Sequence, residues 1–321
     1  MRDLSYSRVG FLGHTYPGML DMYSDFTMVY GQLGVHVEVL EMDDLHQRVE
    51  SATDVEVEAK IAEIRSTFNI VGRGRDKISQ ERDKISQDVT PDALRWTAKV
   101  AVGLDKLVGD FDLNGLTYYY RGLDGNPNEE LGATLIIGNS LLTGRGIPAS
   151  GEGDLKTCLA MLMMDRLNAG GSYTEFYAMD FNEDFILMGH DGPGHVAIAE
   201  GKPLLRGLGL YHGKRGYGCK RGYGLSVEMK VKTGPITILG CTQTAEGSLK
   251  LLGSEGESLP GATMQIGNTN SRLKFSLDPA EFMDRWCEHG PTHHVALGVG
   301  HQLGRIRKLA RLLGLELAVV G

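Results

Sequence analysis

Along the first 170 residues, short apolar runs alternate with stretches whose apolar residues recur every three or four positions. "RVGFLG" at 8–13 predicts a strand. The stretch after the Pro17–Gly18 turn predicts a helix carrying Met19, Met22, Phe26 and Val29 at helical spacing. "VHVEVLEM" at 35–42 alternates and predicts the next strand. Residues 54–68 and 91–109 predict helices, the second opened by Thr90–Pro91, a favourable start because proline at the first helical position gives up no needed N–H. "GLTYYYRG" from Gly115 is strand-like by its aromatic content. Strands alternating with helices in this way imply an α/β layer on a mostly parallel sheet.

From residue 172 the texture changes. Helical spacing fades, and "SYTEFYAMDF", "DFILMGH", "HVAIAE", "LSVEMKVKTGPITILGCTQ" and "SLKLLGSEGES" predict short strands punctuated by Gly and Pro. Such a run predicts an antiparallel sandwich or barrel. A helix over 279–288, a basic helix over 303–313 and the strand "LELAVV" close the chain. The expectation is therefore two units, an α/β domain over 1–170 and a β-rich domain with terminal helices over 171–321.

Composition removes several classes of function. A formal charge of −8 supplies no basic field to attract nucleic acid or anionic lipid. Cys158, Cys219, Cys241 and Cys287 form no CxxC pair, which argues against a disulfide framework or a cysteine zinc site. With no apolar signal core after Met1 and no run long enough to span a bilayer, a cytoplasmic location is expected. Two tandem copies, "RDKISQE/RDKISQD" at 75–88 and "KRGYGC/KRGYGL" at 214–225, are too short for a repeat architecture and are read as local duplications in surface loops.

Chemistry concentrates in three segments. In "GEGDLKT", Glu152 and Asp154 precede a helix with Leu155, Leu159, Leu162 and Met163 available to a core. Asp154 is the natural helix cap, whereas Glu152 sits between glycines where backbone approaches closely. On an alternating strand, Glu175 shares a face with Tyr173, Tyr177 and Met179, unusual company for a carboxylate without a partner. One hairpin later come His190 and His195, and His190 can meet Glu175 across neighbouring strands. Finally, "EHGPTHHVALGVGH" holds four of the ten histidines. Adjacent residues of an extended segment diverge, so of His293 and His294 one is expected to bind and the other to support. Two carboxylates and two imidazoles suit a six-coordinate Mn²⁺, Co²⁺ or Mg²⁺ better than a thiolate-loving metal.

At these residues the sequence resembles the L-arabinose isomerase and L-fucose isomerase family. The resemblance rests on "GEGDLKT", on "TEFYAMDF" with "LMGHDGPGH", and on "GPTHHVALG". It implies that Glu152, Glu175, His190 and His294 hold Mn²⁺, or Co²⁺ or Mg²⁺ in its place, with Glu152 and Glu175 also catalytic. His195 is a rival to His190, because only Gly separates Met188 from that first histidine. Beside these four, Asp154, Tyr177, His195 and His293 are expected to support the site or touch substrate. The resemblance covers about residues 145 to 300 and, more loosely, the segment before it. It implies the family's middle α/β domain, from "GHTYPGMLD" onward, and its C-terminal barrel, with the family's N-terminal domain absent. It also implies a homo-oligomer whose partner is a small sugar.

The implied reaction suits the residues. Interconverting aldose and ketose moves a proton between C1 and C2 through an enediol, which requires an acid–base pair and electrophilic stabilisation. The sugar is of the L-arabinose, L-fucose or D-galactose type. A non-catalytic sugar-binding protein, or a metal-dependent sugar epimerase, is the alternative on the same residues.

Overall fold

A computed structural model describes residues 2–70, 89–120, 126–207 and 224–321. The tandem copies at 75–88 and 214–225 lie outside them, apart from Gly224 and Leu225, as does Cys219. The chain begins α1 (Arg2–Ser5), β1 (Arg8–Gly13), α2 (Phe26–Leu33), β2 (His36–Leu40), α3 (Met42–Glu50), α4 (Asp54–Thr67) and β3 (Asn69–Ile70). It continues α5 (Pro91–Asp110), β4 (Gly115–Tyr119), α6 (Pro127–Ala133), α7 (Leu135–Gly144), β5 (Ala149–Ser150) and α8 (Leu155–Arg166). Then follow β6 (Ser172–Asp180), β7 (Phe185–His190), β8 (Leu204–Gly207), β9 (Leu225–Glu228), β10 (Gly234–Gln243), β11 (Leu249–Ser258) and β12 (Thr269–Phe275). Helix α9 (Pro279–Cys287), β13 (His294–Val299), α10 (Leu303–Leu313) and β14 (Glu316–Val319) complete it.

The parallel α/β layer is present, in strand order β2-β1-β4-β5. Both faces of β1 are covered, as a parallel sheet requires. Val9 and Phe11 pack with Val29 and Leu33 of α2 and with α8, while Leu12 packs with Leu45, Leu104 and Leu107. Local chemistry sets the helix starts. Thr90 caps α5 through Ala93 N at 3.1 Å, with Pro91 in the first turn, and Thr53 and Glu56 form a reciprocal capping box on α4.

The helix expected to carry Met19 through Val29 is instead two pieces. A 3₁₀ turn covers Leu20–Met22, and α2 starts afresh at Phe26. Asp25 causes the break, since its carboxylate accepts from Thr27 N at 2.8 Å and Met28 N at 3.1 Å and so caps a new helix.

The second large element is a mixed sheet of order β10-β13-β6-β7-β12-β11-β14, with β10 also paired to β11. The pairings thus run back on themselves, but the strands are not set evenly round one axis, so mixed sheet is the description and the expected barrel is not. Strand β11 shows the irregularity. One edge pairs with β10 along its whole length, and the other is divided between β14 at Lys250–Gly253 and β12 at Gly256–Ser258. Strand β12 has no strand-like apolar alternation at its start, Thr269-Asn270-Ser271. "HVAIAE" is a 3₁₀ turn at Val196–Ile198 with one isolated bridge from Ala199 to Val231, its start held by His195 N donating to Ser172 Oγ at 3.2 Å. A third, small sheet joins β3, β8 and β9. On the mixed sheet, Phe275, Phe282 and Trp286 stack in a row beside Phe176 of β6, with Trp286 almost wholly buried.

Helix α8 joins the two layers. It is buried continuously from Leu155 to Met164, touching β4 and β5 on one side and β10 and β13 on the other. Leu155, Leu159 and Met163 share a core with Leu239, Cys241 and Ala296, so this core draws on residues from both sides of residue 170. The N-terminus of α8 therefore meets the start of β13.

Candidate metal centre

Glu152 stands on a left-handed turn, with φ of 62° for Glu152 and 70° for Gly153. A non-glycine residue there is strained, which is a mark of functional turns. Neighbouring backbone enforces the shape. Tyr16 N donates to Glu152 O at 2.8 Å, and Gly153 N donates to Tyr118 O at 3.0 Å. A Cβ on Gly153 would lie 2.5 Å from His14 O and 2.6 Å from Thr15 Cα, so only glycine fits. Asp154 then caps α8 as expected, Oδ1 accepting from Thr157 N at 2.9 Å and Oδ2 from Thr157 Oγ1 at 2.7 Å.

Strand register supplies the remaining residues. His294 opens β13 and pairs with Glu175 of β6, which in turn pairs with Gly189 of β7. His190 ends β7, its N–H donating to Thr269 Oγ1 of β12 at 2.9 Å. The ligand-type atoms fall into two groups, Glu152 with His190 and His294, and Glu175 with His293 and His294. Within each group they lie within 4.8 Å of one another, and His294 belongs to both. In the first, Glu152 Oε2 is 3.6 Å from His294 Nε2 and Oε1 is 4.0 Å from His190 Nε2.

Three placements differ from expectation. His190 does not meet Glu175, because the β6–β7 register pairs Glu175 with Gly189 and leaves His190 one residue on, against Glu152 and the Tyr173 ring at 4.4 Å. His293 and His294 do not diverge; their rings are 3.8 Å apart, since His293 precedes β13 and is turned by Asp21. Alternation along β6 is broken by a register shift between Phe176 and Ala178, so Tyr177 stands at an irregularity, its hydroxyl accepting from Asn268 Nδ2 at 3.1 Å. His195 belongs to neither group. It is buried with its Nε2 3.9 Å from Asp165 Oδ1.

Burial dominates the electrostatics of this cluster. Burial pushes the Glu152 carboxyl above its usual range, with Glu175 and Asp154 adding to the rise and His294 and His293 opposing it. Oε2 of Glu152 and Nδ1 of His190 are buried with no hydrogen-bond partner among the described residues. Burial, and then repulsion from His294 and His293, holds His190 well below the usual imidazole value, so it remains a neutral donor of a lone pair. Burial pushes the Asp154 carboxyl up, but hydrogen bonds from His294 and Thr157 outweigh it and keep Asp154 ionised. Its Oδ2 lies 3.0 Å from His294 Nδ1, an arrangement that puts the proton on Nδ1 and leaves Nε2 facing Glu152. Tyr173, also buried, donates to Gly151 O at 3.3 Å and lies 2.7 Å from His294 Nδ1.

Tyr173, Asp21 and Thr269 shape the site without having been singled out for it. Tyr173 shares the Glu175 strand, so its position was readable. Asp21 meets His293 across 272 residues, which no local pattern announces.

Residues 25–170 match the L-arabinose isomerase central domain. The chain thus resembles the middle domain of that family, and the match includes Glu152 and Asp154, while Glu175, His190 and His294 lie beyond it. No curated protein matches this chain. Among the described residues no helix is long and apolar enough to cross a membrane.

Proposed function

We propose that this chain is a metal-dependent aldose–ketose isomerase acting on a pentose or hexose. The observation that carries the reading is the unpartnered, buried Glu152 carboxylate oxygen, aimed between two buried imidazoles from a strained turn within the arabinose-isomerase-like segment. A buried carboxylate oxygen that accepts no hydrogen bond is costly, and a divalent cation offsets that cost while keeping the group ionised. The donor set is oxygen and imidazole nitrogen with no thiolate, which fits Mn²⁺, Co²⁺ or Mg²⁺. Glu152, His190 and His294 would hold the ion, with Glu175 at its other side. When bound, the metal supplies electrophilic stabilisation of charge developing on the sugar oxygens.

The protein's own residues account for the proton traffic. Glu152 and Glu175 approach His294 from opposite layers, so one carboxylate can take the proton from C2 and return it to C1, while the other moves a proton from O2 to O1. Tyr177, whose hydroxyl is kept protonated by burial and then by the charges of Glu175, Asp191 and Glu152, is a neutral donor for a sugar hydroxyl. Asp154 fixes the His294 ring. Homo-oligomerisation belongs to the same proposal.

The test is a ketose assay on metal-stripped protein reconstituted with Mn²⁺, Co²⁺ or Mg²⁺, across L-arabinose, L-fucose, D-galactose and D-arabinose. Turnover that returns with the ion is expected. Metal binding with no turnover on any sugar would favour a sugar-binding protein.

A further inference from the structure

The loop between β1 and α2 is fastened to the site at three points. Tyr16 N donates to Glu152 O at 2.8 Å. Lys156, fully buried on α8, donates through Nζ to Tyr23 O at 2.6 Å and to Ser24 Oγ at 3.4 Å. Between these anchors Asp21 reaches His293, its Oδ2 accepting from the His293 backbone N–H at 3.0 Å and lying 2.6 Å from Nδ1. A single carboxylate oxygen that takes both backbone and ring donors of one residue fixes that ring in rotation as well as position.

We infer that Asp21 is a positioning residue: it keeps the proton on Nδ1 of His293 and so presents Nε2 to the group formed with Glu175 and His294. With Nδ1 engaged by Asp21, Nε2 is the ring atom left for that group. Lys156 takes part by holding the loop in place, so the same helix that carries Asp154 at its start fixes both histidines, one through Asp154 and the other through Tyr23, Ser24 and Asp21. The His293–Asp21 pair stands at the solvent side of the centre, the His293 side chain being 34% exposed where that of His294 is 1% exposed. A sugar entering from that side meets His293 first, in the orientation Asp21 sets.

The kinetic part of this inference rests on the isomerase reading, but its structural part does not. The experiment is long-range ¹⁵N–¹H correlation spectroscopy on the full chain labelled at histidine, with His293→Gln to assign the signals, alongside Asp21→Ala, which removes the acceptor oxygen. The wild type is expected to carry a proton on Nδ1 of His293. In Asp21→Ala no acceptor faces Nδ1 and the proton is expected to move to Nε2. With Mn²⁺ bound, kcat is expected to fall about ten- to hundredfold with KM unchanged, the usual consequence of removing a carboxylate that orients a site histidine. A wild-type His293 without a proton on Nδ1 overturns the inference whatever the variant does. An unchanged kcat in Asp21→Ala also overturns it, even if the tautomer moves. If no sugar is turned over, the isomerase reading falls and the wild-type and variant tautomers decide Asp21 alone.

Discussion

Glu152 and His190 each stand next to a glycine that has no room for a side chain, and the obstacles are of different kinds. Beside Glu152, a Cβ on Gly153 would strike the backbone of the β1–α2 loop, and the residue is also left-handed. Beside His190, a Cβ on Gly189 would lie 2.0 Å from Thr269 O, on the neighbouring strand of the mixed sheet. In the α/β layer a tight turn aims the carboxylate, whereas in the mixed sheet cross-strand register places the histidines. The centre forms only because α8 joins the two layers.

The largest effect falls on chemistry. Glu152→Gln keeps the turn and removes the charge, so turnover in a coupled ketose assay should drop by about 10²–10⁴ while the thermal midpoint of the apo-protein holds or rises. A rise follows from relief of the buried Glu152 oxygen that accepts no hydrogen bond. Next comes backbone damage. Gly153→Ala and Gly189→Ala should each cost about 2–4 kcal/mol in chemical denaturation, from left-handed strain and overpacking in the first and a broken strand contact in the second. The comparison sharpens in metal titration, where Gly153→Ala should weaken binding through Glu152 and Gly189→Ala through His190. Thr269→Val removes the hydroxyl that holds the His190 backbone and should cost about 1 kcal/mol.

The smallest effect is on pH dependence. His190 is held below its ordinary value of 6.5, first by burial, so protons bind the unfolded chain more readily than the folded one. Its contribution to stability is complete above 6.5 and is lost as pH falls toward the folded value. Urea midpoints of metal-stripped protein should therefore decline below about pH 6.5, and His190→Gln should flatten that decline. An unchanged slope would contradict the burial of a neutral imidazole.

What the sequence revealed follows the same division. Local chemistry was legible: Thr90–Pro91 opening α5, Asp154 capping α8, and a glutamate hemmed by glycines on a special turn. Helices α4, α5, α9 and α10 were visible from their spacing. Cross-strand facts were not. Strand β12 was silent because three of its buried positions are Thr269, Asn270 and Ser271, which give no apolar alternation. The one-residue offset that turns His190 from Glu175 to Glu152 is a property of the β6–β7 pairing, not of either strand alone. Asp25 cut the expected helix because a cap competes with continuation of an apolar stripe, and spacing alone does not weigh the two.

The central claim is that Glu152, aimed at His190 and His294, takes part in moving a proton on a sugar. The direct measurement is solvent deuterium incorporation into the sugar by the Mn²⁺-reconstituted protein in heavy water, read by NMR, for wild type and Glu152→Gln. Deuterium at C1 or C2 with the wild type, and none with the variant, is the predicted result. A wild type that binds metal and sugar without exchange, or a variant that exchanges as fast as the wild type, would contradict it.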